Sequence, residues 1–281
     1  MKDLFLLTAN ETISLIQSEK ITITEVTESI IERINKINPI IQSFVHLNNN
    51  YNLKLAKDLD KKFKKGDDIG PLFGTSVGIK DIFNEQFMPT EMGSPIWKGF
   101  TSGNDARVVH KIRISNALII GKTDTAEFAV HSLGKSLNPY DSSRTPGSSS
   151  SGSSTAVSTC MVPLALGTQT AGAIIRPASY CGVYGFKPSF GLIPRTGMLK
   201  TTDSLDQIGF FARDPKDLNL FFNIIRVKGR NYPISNKFLK TTKNSNKLKR
   251  KWRIGFTKTS VWKNAEEYTK QYFENFINIL K

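Results

Sequence analysis

The sequence predicts an α/β protein whose central sheet is buried on both faces, and three observations carry that expectation. Apolar runs in GPLFGTSVGIKDIF (70–83), NALIIGKT (116–123) and TAVSTCMVPLALG (155–167) alternate with segments of helical period. The runs are continuous rather than every-other-residue, as expected of strands covered on both sides. Glycines at 167, 172, 182, 185, 191 and 197 cut the later part into short apolar pieces, a sign of closely packed backbone.

Taken in order, residues 8–37 read as two amphipathic helices. Thr8 with Glu11 and Thr22 with Glu25 each fit the S/T-x-x-E capping box, and Val26, Ile30, Ile34 and Ile37 recur at helical spacing until Pro39, which is expected to stop the pattern. QSFVHL (42–47) reads as a short strand, 51–65 as a charged helix ending in a turn at Lys65-Gly66, and DARVVHKIRIS (105–115) as a helix between the first two buried strands. The stretch YDSSRTPGSSSSGSSTAVST (140–159) interrupts the alternation. By composition a Ser/Gly run is a flexible linker, but a helix-then-strand pattern resumes directly after it, and 145–213 reads as one compact unit. LNLFFNII (218–225) is helix-like. The expected organisation is a core over 1–226, a basic linker-like segment over 227–251, and the start of a further βα unit over 252–281, with a strand at WRIGFTK (252–258) and an amphipathic helix at 265–280.

Composition narrows the class of function. The 281-residue chain is 39% apolar, enough for a real core, and carries 39 basic against 24 acidic residues, a net +15. The basic runs KKFKK (61–65) and KLKRKWR (247–253) read as solvated faces or linkers. No basic helix with interleaved stacking aromatics accompanies them, so nucleic acid is not an expected partner, although a general attraction to anions stays open. Two cysteines (Cys160, Cys181), no CxxC and three histidines (His46, His110, His131) indicate neither a disulfide framework nor a metal site, and no cofactor is expected. The apolar run at the N-terminus is too short for a signal-peptide core, and none approaches the ~18 residues of a spanning helix. A soluble, cytoplasmic protein with no membrane contact is therefore expected.

Chemistry is best sought at Lys80, which follows Val77 and Ile79 at the end of an apolar strand. Desolvation there would lower its pKa and make it a proton acceptor near neutrality; the alternative is plain pairing with its neighbour Asp81. In chain order, GIKDIF, GKTDTAEFA, RTPGSSSSGSS, VPLALGTQTAGAIIRPASYCGVYGFKPSFG and SLDQIGFFAR resemble the amidase signature family of serine amide hydrolases, over about residues 8–262.

The resemblance implies a mixed sheet flanked by helices and a triad of a serine nucleophile, a second serine in a cis peptide, and a lysine base. Lys80 matches the base and Ser149 the cis-serine, for which a tightly held glycine-rich loop is a physical requirement. In the closest variant the turn runs TQTAGS; here it is TQTAGA, so Ala173 occupies the nucleophile position. The backbone N–H groups of Thr170, Ala171, Gly172 and Ala173 match the oxyanion hole. A small-molecule amide is the implied substrate.

Losing the nucleophile of a serine-hydrolase site costs roughly a million-fold in turnover, ~8 kcal/mol, so the chain is expected to be inactive or strongly impaired, a pseudoenzyme. Two further departures are implied. Ser148 stands where a glycine is usual, and relatives extend well beyond residue 281, so the C-terminal part of the fold is expected to be missing. Together they favour natural loss of activity over an engineered exchange. The alternatives are an amidotransferase-like subunit and a non-catalytic protein that binds a partner or a second copy. Asp206 and Arg213 read as scaffold.

Overall fold

The computed structural model describes residues 3–130, 132–229 and 253–280. The chain divides into two compact units, Met1–Asn236 and Lys237–Lys281.

In the first unit both capping boxes form. Thr8 Oγ1 accepts from Glu11 N and the Glu11 carboxylate from Thr8 N, starting α1 (Ala9–Gln17); the same reciprocal pair between Thr22 and Glu25 starts α2 (Ile23–Ile41). Helix α2 runs on past Pro39, which does not stop it as expected. The proline stands in the last turn, where its missing N–H forfeits a single helical bond, and the helix ends instead at Gln42, which adopts a left-handed conformation. Strand β1 (Phe44–Leu47), α3 (Asn49–Lys64), β2 (Ser76–Lys80), α4 (Arg107–Ile114) and β3 (Leu118–Thr123) follow the sequence reading. Next come α5 (Ser151–Ser158), β4 (Leu164–Gln169), α6 (Ile175–Tyr180), β5 (Tyr184–Phe186), β6 (Gln207–Ala212) and α7 (Pro215–Ile225).

The six strands form one mixed sheet in the order β1-β3-β2-β4-β6-β5. Strand β2 lies parallel to both β3 and β4, while β1 on β3, β6 on β4 and β5 on β6 are antiparallel. The segment 145–213 is therefore not a separate body, because its strands continue the sheet begun by β1–β3. Strand alternation sends Val77, Ile79, Leu166, Ile208 and Phe210 to one face, under α4 and α7, and Leu118, Ile120, Ala165 and Phe211 to the other, under α2, α3 and α5. Two apolar layers thus clamp the sheet, and its central strands are fully buried.

Two polar clamps hold distant parts of this unit. Arg213 donates to the carbonyls of Leu7 (2.9 Å), Val157 and Val162 (3.1 Å each), a scaffold role. Asp217, fully buried, accepts from Ala9 N (2.8 Å) and Asn10 N (2.9 Å), satisfying the first free donors of α1.

In the second unit α8 (Glu267–Leu280) forms as expected, and Phe256, Trp262 and Phe273 cluster with ring centroids 5.5–5.9 Å apart. The strand expected at 252–258 is not formed over 253–258, where no described strand of this unit offers an edge to pair with. Residue 252, and the linker-like segment from 230 onward, lie outside the described residues. No helix among the described residues is long and apolar enough to cross a membrane.

Candidate active site

Strands β2 and β4 are parallel neighbours, so their C-terminal ends open on the same edge of the sheet. Lys80 is the last residue of β2 and Thr168 sits near the end of β4. The loop that enters α5 crosses the same edge, with a cis peptide between Ser148 and Ser149. Lys80, completely buried, donates to Ser149 Oγ (2.7 Å), Thr168 Oγ1 (3.0 Å) and Ser150 Oγ (3.1 Å). Ser150 in turn donates to the carbonyl of Thr168 (3.1 Å), closing the cluster.

Burial pushes the Lys80 ammonium down to about 7, against the opposing pull of the Asp206 and Asp124 carboxylates. Asp81 is not its partner: that carboxylate bonds to the buried Lys122 at 2.9 Å. The pairing alternative open in the sequence is thus taken by a different lysine, one strand over. Asp124 itself is raised by burial, which outweighs the hydrogen bonds it accepts from Ser136.

The small residues of the serine loop each have a spatial reason. Gly147 adopts φ +111°, and a Cβ there would stand 2.6 Å from Pro177 Cα of α6. Gly152 packs so tightly on the backbone of Asp124 and Ser43 that any side chain would overlap both. Ser148 takes φ +40°, the left-handed region that favours glycine. Hydroxyls of α5 tie it to its neighbours: Ser153 donates to Leu166 O (2.7 Å) and pairs with Thr123 Oγ1 (2.7 Å), Ser43 pairs with Thr155 (2.6 Å), and Ser158 donates to Cys181 O (2.6 Å).

The turn TQTAGA leaves β4 on the same edge. The side-chain carbonyl of Gln169 accepts from Ile174 N (2.9 Å) and Ile175 N (3.0 Å), drawing the ends of the turn together. Among the described residues, the N–H groups of Ala171, Gly172 and Ala173 meet no hydrogen-bond acceptor. The space above Gly172 is open, since a Cβ would meet only Arg176 Cβ at 3.9 Å. Thr170 Oγ1 donates to Asp206, whose carboxylate also accepts from Thr201 N (2.5 Å) and Thr202 N (3.0 Å). Burial would raise Asp206, but these hydrogen bonds prevail and hold it below the usual carboxylate range. Arg176 of α6 donates to Gly147 O (2.5 Å) and Ser148 O (3.0 Å), tying the turn to the serine loop.

Lys80 and Ser149 are thus in direct contact, and Ala173 sits half-buried on the turn that Arg176 anchors to the same loop. Ser150, Thr168 and Arg176 escaped the sequence reading. The signal for Thr168 was a hydroxyl at the end of a strand running beside the lysine's; for Ser150, simple adjacency to Ser149.

The mixed α/β fold is similar to that of amidase signature enzymes. Residues 25–281 match the family model described as Amidase. The chain belongs to the amidase family. It is 39% identical over 223 residues to a glutamyl-tRNA(Gln) amidotransferase subunit from Acidothermus cellulolyticus, covering 77% of this chain and 44% of that protein. Among solved structures it is similar to the native peptide amidase of Stenotrophomonas maltophilia (29% identity, TM-score 0.76, 82% of this chain and 50% of that one). It is equally similar to a chain from a vestigial protein complex described as revealing the origins of an s-triazine catabolic enzyme (29% identity, TM-score 0.76, 81% and 51%). The chain spans about half the length of these proteins.

Proposed function

We propose that the chain carries an amide-hydrolase site in which Lys80 is the base and Ser149 the relay, and that Ala173 leaves this site without its nucleophile. The observation that carries the reading is Lys80: buried, brought to about 7, and 2.7 Å from a serine hydroxyl on a cis peptide. An amine of that kind is substantially neutral at physiological pH and takes a proton that an ammonium of ordinary pKa could not.

With a serine at 173, its Oγ would attack the amide carbonyl while its proton passed through Ser149 to Lys80. The N–H groups of the 170–173 turn would meet the developing oxyanion, the amine would leave with a proton, and water would release the acyl group from the ester. Alanine has no lone pair to begin that sequence. Neighbouring hydroxyls are engaged elsewhere: Ser149 faces Lys80, and Thr170 is bonded to Asp206.

The test is turnover of simple aliphatic and aryl amides by the chain and by Ala173→Ser. The unaltered chain is expected at background. The serine variant should gain activity that disappears in Ala173→Ser/Lys80→Ala. Activity of the unaltered chain that persists in Lys80→Ala would refute both the triad and the inactivity. If Ala173→Ser alone stays silent, adding Ser148→Gly tests the second departure.

A second reading is favoured by the relative that belongs to a glutamyl-tRNA(Gln) amidotransferase, and by the +15 charge: one component of a larger assembly. Co-purification of a defined partner supports it. Transfer-RNA binding, if present, should weaken steeply with salt, and salt-independent binding would contradict an electrostatic origin.

A further inference from the structure

A groove of about 850 Å³ runs along the exposed side of α7, away from the lysine–serine cluster. Its lining mixes apolar Pro71, Leu220 and Ile224 with four polar uncharged side chains and carries two cations, Lys216 and Lys228. Its lining includes no carboxylate and no aromatic ring. Lys216 stands in the first turn of α7 and Lys228 three residues beyond its end, which places the cations on the order of three helical turns, ~16 Å, apart. Beside the groove, Lys111 donates to Arg226 O at 3.0 Å. Its ammonium is lowered first by burial and then by the positive charges of Lys228, Arg107 and Arg226.

We propose that this groove is the docking site for an acidic amphipathic helix of a partner protein, its apolar face on Leu220 and Ile224 and its carboxylates on Lys216 and Lys228. The separation of the cations is too great for one small anion and suits two carboxylates about eleven residues apart on one helix face. Nucleic acid fits less well, because the lining offers no ring on which a base could stack. The chain's own run 228–251 contains no carboxylate, the glutamates of its helix α8 (Glu267 and Glu274) stand seven residues apart rather than eleven, and a second copy at +15 brings the wrong net sign.

The probe is a fluorescein-labelled helical peptide of about five turns, leucines on one face and two glutamates eleven residues apart, followed by anisotropy on the full chain. A matched peptide with lysines for glutamates is the control. Saturable binding of the acidic peptide is expected, weaker by ~tenfold or more for the lysine peptide and for Lys216→Glu/Lys228→Glu, and unchanged for Lys54→Glu/Lys61→Glu on α3. All four lysines are on the surface, and circular dichroism of each variant checks that it folds. Equal binding of both peptides, no effect of the α7 reversal, or displacement of the peptide by an equal concentration of single-stranded RNA would overturn the proposal. So would self-association of the chain abolished by the same reversal.

Discussion

Replacing Lys80 by methionine turns the buried amine into a measurable slope of stability against pH. In the unfolded chain a lysine holds its proton up to about 10.4, whereas in the folded chain Lys80 releases it near 7. Between those values the unfolded state binds more protons, so this residue makes stability rise with pH; below 7 both states are protonated and its full penalty is present. The slope is about 1.4 kcal/mol per pH unit, and over the whole window the penalty relieved amounts to roughly 5 kcal/mol. The methionine variant also strands the hydroxyls of Ser149 and Thr168, whereas Ser150 keeps its bonds to the Thr168 main chain; that cost of about 1–3 kcal/mol per group is nearly constant with pH. Lys122, also buried and lowered, titrates in both proteins and cancels from the difference. The assay is urea unfolding at pH 6, 7, 8 and 9, comparing midpoints at matched m-values. The stability of the native chain minus that of Lys80→Met should be flat from 6 to 7 and then climb by about 1.4 kcal/mol per unit. A difference that stays flat to pH 9 would mean an ordinary charged lysine and would remove the physical basis of the proposed base.

Three further substitutions test the architecture around it. Ser148→Gly should raise stability by about 0.5–1 kcal/mol, because φ +40° strains every residue with a Cβ; a lower thermal midpoint would contradict this. Gly152→Ala should cost roughly 3 kcal/mol, since its methyl would overlap the backbone of Asp124 and Ser43 rather than a side chain that can turn aside; chemical denaturation reads it, and a neutral result would show that α5 is looser than described. Arg176→Leu removes charged donors from Gly147 O and Ser148 O, so about 1.5–3 kcal/mol should be lost and limited proteolysis should appear within 144–149.

What could be read in advance was whatever one stretch of chain decides alone. The capping boxes at Thr8 and Thr22 need only four residues each, and both formed. The buried strands announced themselves as apolar runs. Helix α5 was legible only from Thr155 on: seven of its eight residues are buried, yet the Ser and Gly of its first half have no hydrophobic period, and the strands packed beneath it explain why that half is helical. Strands β5 and β6 were likewise invisible as strands before their pairing was known. At the site, Lys80 and Ser149 were legible through motif order, while Thr168 depends on β4 lying parallel beside β2, a fact no local pattern contains. The exchange of partners at Asp81, from the adjacent Lys80 to Lys122, has the same origin: residues consecutive on a strand point to opposite faces.

The lysine cluster and the TQTAGA turn differ in how deeply each is woven into the fold. Lys80 links β2, β4 and the serine loop through three hydrogen bonds, so its replacement alters the stability of the fold as well as the proposed chemistry. Ala173 carries a single side-chain carbon on a half-exposed turn, and its N–H meets no hydrogen-bond acceptor among the described residues. Serine and alanine are therefore nearly interchangeable there as far as folding is concerned. For the hydrolysis proposed above, position 173 is then the place where a single exchange of serine for alanine would remove the reaction at little cost to the fold.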